Sequence, residues 1–173
     1  MRLHFPAFVS LVPLLLGVSL VQKPTTLEAT LATYQQWKKS NPQRVVLSSQ
    51  LDGLCRGPSP KMIKQYEASP HKRHTITVFV NPIGEHAMMK GGTFPNGSIL
   101  VKEKQLEGQS SRDMATVMIK RSPGYNPKGG DWEYAVLDKA GTIESRGKLA
   151  NCMGCHADQA KSDYVFRSYL SRH

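Results

Sequence analysis

The chain has 173 residues, a formal net charge of +10 and an isoelectric point near 9.7. That charge suits an anionic partner, but its densest cluster, Lys61, Lys64, Lys72 and Arg73, lacks the interleaved aromatics of a nucleic-acid surface; a solvated basic face that attracts an acidic protein partner or membrane headgroups is the economical reading. Three cysteines, an odd number, are no evidence of a disulfide framework, and a chain of this length can build a core that stands without one.

Arg2 and His4 precede an apolar run from Phe5 to Val21 broken only by Ser10 and Ser19, the layout of a secretory leader. Small residues in Gly17-Val18-Ser19 sit where a signal peptidase reads, so residues 1–19 are expected to be a signal peptide, with an uncleaved membrane anchor as the alternative. The protein is then periplasmic or otherwise exported, and residues 24–173 form a single domain of about 150 residues.

Leu27, Leu31, Tyr34 and Trp37 recur at near-helical spacing after a capping Thr26, which predicts a helix from Thr26 to Lys39. Asp52 to Pro60, which contains Cys55, reads as a loop, and Lys61 to Ala68 as a short helical piece. From His74 the period changes to two: His74 to Val80 is a strand ended by Asn81-Pro82. Glu85 to Lys90 makes a turn or two of helix before Gly91-Gly92, and Phe94-Pro95-Asn96-Gly97 turns the chain into a strand from Ser98 to Lys104. Alternation there puts Leu100, Lys102 and Lys104 on one face and Ile99, Val101 and Glu103 on the other. Met114 to Arg121, Asp131 to Leu137 and Thr142 to Arg146 are further strands.

The most informative run is Cys152-Met153-Gly154-Cys155-His156. Two thiols at this spacing can each add across a porphyrin vinyl group, and the following imidazole is placed to bind the iron. The motif therefore predicts one covalent haem c per chain, attached through Cys152 and Cys155 with His156 as proximal ligand. A redox dithiol does not need the histidine, and Cys55 with the scattered histidines offers zinc no recognisable spacing. Export agrees with this chemistry, because bacteria attach c-type haem outside the cytoplasm. Cys55 is left over as a thiol or a small buried hydrophobe.

Only seventeen residues follow His156, so a distal ligand has to come from upstream, unlike in the small electron-carrying cytochromes c. So many strand-like runs also exclude a four-helix cytochrome c′ bundle. The expected class is α+β: a mainly antiparallel β-sheet with flanking helices, and a C-terminal haem-binding motif leading into a helix that presents Val165, Phe166 and Tyr169 on one face. Met114 and Met118 could ligate iron but read first as core fillers; Phe79 and Phe94 read as core or pocket walls, and His71, His74 and His86 as exposed.

The order of Thr75-Ile76-Thr77-Val78-Phe79-Val80-Asn81-Pro82, Phe94-Pro95-Asn96-Gly97-Ser98, Val101-Lys102-Glu103, Gly130-Asp131-Trp132-Glu133-Tyr134 and the segment Cys152 to Phe166 resembles the cytochrome P-460 family, related to the cytochromes c′-β. The resemblance implies a lysine joined to a meso carbon of the porphyrin, and the matching residue is Lys102; alone, such a lysine reads as a snorkelling surface residue. Only a neutral amine could form that bond. It also implies a homodimer, and oxidation of a small nitrogen compound such as hydroxylamine at an open iron, with a cytochrome as electron acceptor. Hydroxylamine-oxidising members carry a distal carboxylate in the strand matching Met114 to Lys120, where this chain has Thr116, which is no general base. Glu103 and Glu133 are the candidate replacements. Two other readings stay open: capture of nitric oxide or carbon monoxide without turnover, and electron transfer with Met114 or Met118 as sixth ligand.

Overall fold

The computed structural model describes residues 26–41, 45–47, 74–106, 109–167 and 170. The leader, Cys55, the 52–60 loop, the 61–68 helix, His71 and Tyr169 lie outside the described residues.

Among the described residues, seven strands form one sheet in which every pairing is antiparallel. They are β1 (Lys38–Lys39), β2 (Val45–Leu47), β3 (His74–Val80), β4 (Ile99–Leu106), β5 (Met114–Lys120), β6 (Trp132–Leu137) and β7 (Ile143–Gly147). The order is β1-β3-β4-β5-β6-β7, with β2 also pairing along β3. Among the described residues, the short α-helices α1 (Leu27–Leu31), α2 (Glu85–Lys90) and α3 (Ala150–His156) accompany the sheet, as the α+β expectation required.

Asn81 ends β3 as expected of an Asn-Pro pair, and its side chain does more than stop the strand. Its Oδ1 accepts from the Ile99 and Gly84 amides at 2.9 and 3.1 Å, and its Nδ2 donates to the Gly97 carbonyl at 2.9 Å, tying the start of β4 to the end of β3.

Alternation divides the buried side chains into two clusters. Because Val78 pairs with Lys102, Lys102 with Thr116 and Thr116 with Val136, residues of equal parity share a face across β3 to β6. Odd-numbered Phe79, Val101, Val117 and Ala135 pack with Leu31 and Tyr34 from the N-terminal segment. Even-numbered Val78, Val80, Leu100, Met118, Trp132 and Tyr134 form the second cluster, covered by Ala87 and Met88 of α2, by Phe94 and by Val165.

Two helical expectations need correction. The helix predicted from Thr26 to Lys39 is only α1, followed by a 3-10 turn at Tyr34–Gln36 and the two-residue strand β1. Thr26 does cap it, accepting from the Ala29 amide at 3.2 Å, but the Thr30 and Thr33 hydroxyls donate back to main-chain carbonyls, and β1 gains sheet pairing with Phe79 and Val80. At the other end the chain passes from α3 into a 3-10 segment, Ala157–Ser162, and then leaves the helix. Asp163 and Tyr164 are both left-handed, with φ of 53° and 63°.

Candidate functional site

Helix α3 carries the whole Cys152 to His156 motif. A helix brings residues three and four apart onto one side, so Cys155 and His156 lie one turn beyond Cys152. Cys155 is buried, and Cys152 and Met153 pack against the even-numbered cluster. A cleft of about 310 Å³ opens beside Cys152, lined by Val136, Ser145, Leu149, Ala150 and Asn151.

The His156 ring is fixed from three sides. Its Nδ1 lies 2.6 Å from the Tyr164 carbonyl oxygen; a carbonyl only accepts, so Nδ1 carries the proton and Nε2 keeps its lone pair. Tyr134 and Phe166 flank the ring at centroid distances of 5.5 and 5.1 Å. Burial pulls the imidazole below its ordinary pKa of 6.5 and the positive charge of Lys102 adds to this, while the bond to the Tyr164 carbonyl works the other way. The result is a neutral imidazole with an oriented, available Nε2.

Lys102 stands on this same face, partly buried in the row Val78, Lys102, Thr116, Val136. The alternation expected of β4 thus holds at both neighbouring positions. Leu100 lies in the even-numbered cluster, whereas Glu103 points to the opposite face, where it accepts from Tyr34 Oη at 2.5 Å and Gln35 Nε2 at 2.8 Å. Glu133 is also on the odd-numbered face, bound by Arg121 and by Arg146. Neither carboxylate reaches the face of His156, so both candidate replacements for the distal base are removed. Thr116 sits directly beside Lys102, and Met118 is in the apolar cluster beside Leu100.

Sequence reasoning assigned no role to Lys120, Trp132 or Asp163. Lys120 Nζ meets both Asp163 carboxylate oxygens, at 2.7 and 2.8 Å, and lies 5.0 Å from the centre of the Trp132 ring. The Phe94 amide donates to the same carboxylate at 2.7 Å, and Trp132 Nε1 donates to the Asp163 carbonyl at 2.8 Å. A signal was present: Lys120 shares parity with Met118 on an apolar face, and a buried lysine calls for a buried anion.

These residues fit a haem. They offer two thiols on one helix, an imidazole with its Nδ1 already bonded, and an apolar wall with aromatic flanks. Among the described residues no three His, Cys, Asp or Glu side chains come together to hold a bare metal ion. No curated protein matches the chain. The family model for cytochrome P460 matches residues 58–167, which span β3 to β7, α3 and the turn at Tyr164. The chain belongs to the cytochrome P460 family, and its cofactor is a haem.

Proposed function

We propose that the protein is an exported c-type cytochrome of the P-460 type that oxidises a small nitrogen compound of the hydroxylamine class. Cys152 and Cys155 would hold one haem through thioether bonds, and His156 Nε2 would bind its iron. A haem so held would supply the redox chemistry, with the electrons passing to an external cytochrome.

The chain's own residues support this reading in separate ways. Hydrogen bonding at Nδ1 orients His156 and strengthens it as a donor. Val78 and Leu100, both buried, give the face beside Lys102 an apolar lining. The observation that carries the reading is the shared face of Lys102 and His156: the β4 register puts Lys102 in the row Val78, Lys102, Thr116, on the same side of the sheet as Tyr134, whose ring flanks His156, and a lysine on that side supports a porphyrin cross-link. In the holoprotein, hydroxylamine-dependent reduction of an artificial electron acceptor is expected. No such reduction in a preparation whose lysine cross-link has been verified by mass spectrometry would overturn the oxidase assignment.

A second reading has its own observation. Thr116 occupies the place beside Lys102, and Glu103 and Glu133 are on the other face of the sheet. A face without those bases suits a neutral diatomic ligand, so capture of nitric oxide or carbon monoxide by a five-coordinate ferrous iron is the alternative. Ligand binding with no turnover of hydroxylamine would select it. The charge of +10 supports an acidic electron acceptor, whose association rate should fall as salt rises.

A further inference from the structure

The Tyr164 carbonyl that meets His156 belongs to an unusual turn. Two successive non-glycine residues, Asp163 and Tyr164, are left-handed, a conformation that persists only where the surroundings impose it. The surroundings are visible. The Asp163 carboxylate takes two bonds from Lys120 and one from the Phe94 amide, its carbonyl takes one from Trp132, and the Tyr164 amide donates to the Gln159 carbonyl at 2.8 Å. Gly130 supports the far side: a Cβ there would overlap the Tyr164 ring. Lys120 and Asp163 are about nine-tenths buried, at 10 % and 11 % side-chain exposure, so the pair is shielded from solvent competition.

We propose that Asp163, anchored by Lys120, is a positioning residue for His156: it fixes the Tyr164 carbonyl against Nδ1 and thereby sets how strongly the imidazole donates to the haem iron. A firm Nδ1–H bond gives the imidazole partial imidazolate character, which strengthens the iron–histidine bond and favours ferric over ferrous iron. The contacts that fix the His156 ring come from Tyr164, Tyr134 and Phe166, not from the ion pair itself. The pair acts through two backbone residues. The inference rests on His156 being the iron ligand.

The test uses the purified holoprotein. The iron–histidine stretching band of the ferrous form is read by resonance Raman, and the midpoint potential by spectroelectrochemistry. Asp163→Asn keeps the side-chain size but removes the charge that holds Lys120; its band should move to lower frequency and its potential should rise, with haem still attached. Lys120→Met should shift both readouts in the same direction, and Lys120→Arg should restore most of each. Glu103→Gln, which loosens the opposite face, should lower the melting temperature and move neither. If Asp163→Asn does not mature, the two Lys120 variants probe the same ion pair from the sheet side. Unchanged band and potential in a folded Asp163→Asn or Lys120→Met overturn the proposal. A wild-type ferrous protein with no iron–histidine band overturns the ligand assignment, and the proposal with it.

Discussion

Lys102 and Glu103 are neighbours on β4, yet they belong to different parts of the protein. Glu103 faces a side closed by Leu31 and Tyr34, where it joins Gln35 and, through Tyr34, Arg112, whose guanidinium donates to Tyr34 Oη at 2.7 Å. Lys102 faces the side that carries Tyr134, His156 and the cleft beside Cys152. The same four strands supply both faces, and the period of two keeps them apart: odd positions close the core, and even positions both pack and present chemistry. A carboxylate one residue from Lys102 is therefore as remote from the haem site as one on another element.

If the odd face is structural, its largest side chains should cost stability and leave the haem untouched. Phe79→Ala, which removes a buried ring packed 5.3 Å from Tyr34, should destabilise the fold by about 3–5 kcal/mol in denaturant melts, with the absorption spectrum of the surviving holoprotein unchanged. Glu103→Leu is the next step down. It leaves the Tyr34 hydroxyl and the Gln35 amide without their acceptor and should cost about 1–3 kcal/mol, again with an unaltered spectrum. A spectral change in either variant would break the division between the faces.

The even face should behave in the opposite way. Lys102→Leu should keep the haem on Cys152 and Cys155, change stability by less than about 1 kcal/mol, and abolish any absorption that an unmodified c-type haem does not show. An unchanged spectrum would remove Lys102 from the chemistry.

Titration probes the odd face at both ends of the pH scale. Burial, reinforced by the Glu103 carboxylate, pushes Tyr34 up to about 12. The unfolded phenol releases its proton first, near 10, so this contribution is complete below pH 10 and is lost as pH rises toward 12. Tyr34→Phe should flatten that alkaline loss in melts across the range. Glu133 shows the smallest effect. Burial opposes its ionisation, but the hydrogen bonds from Arg146 and Arg121 prevail and hold it below its usual 4.5. Its contribution is present above pH 4.5 and fades as pH falls through the lowered value. With both arginines about a third exposed, Glu133→Gln should cost under about 1 kcal/mol at neutral pH.

The contrast also explains what could be read in the sequence. Strands β3 to β7 fall within a residue or two of their expected bounds, because alternation and turn residues are local signals. The same parity places Lys102 and Glu103 on opposite faces from the sequence alone. Thr26 was legible as a cap, but the early end of α1 was not, since it depends on β1 finding an edge on β3. The motif announced Cys152, Cys155 and His156, whereas Lys120 and Asp163 lie 43 residues apart and meet only when the chain leaves the helix at a left-handed pair. Nothing in Asp163-Tyr164 marks that conformation: the signals for a left-handed residue are glycine and asparagine, and here tertiary bonds impose it.

Central to this reading is an even face that would hold a covalent haem on Cys152 and Cys155, with His156 as iron ligand and Lys102 as the cross-linking amine. The most direct measurement is the absorption spectrum of the dithionite-reduced holoprotein, matured in a host that attaches c-type haem, beside the same spectrum of Lys102→Leu. The expected result is a haem that stays with the protein in acidified acetone, a wild-type Soret band well to the red of an ordinary c-type haem, and a return to the ordinary position in the variant. Extraction of the haem, or sharp split low-spin bands identical in both proteins, would contradict it.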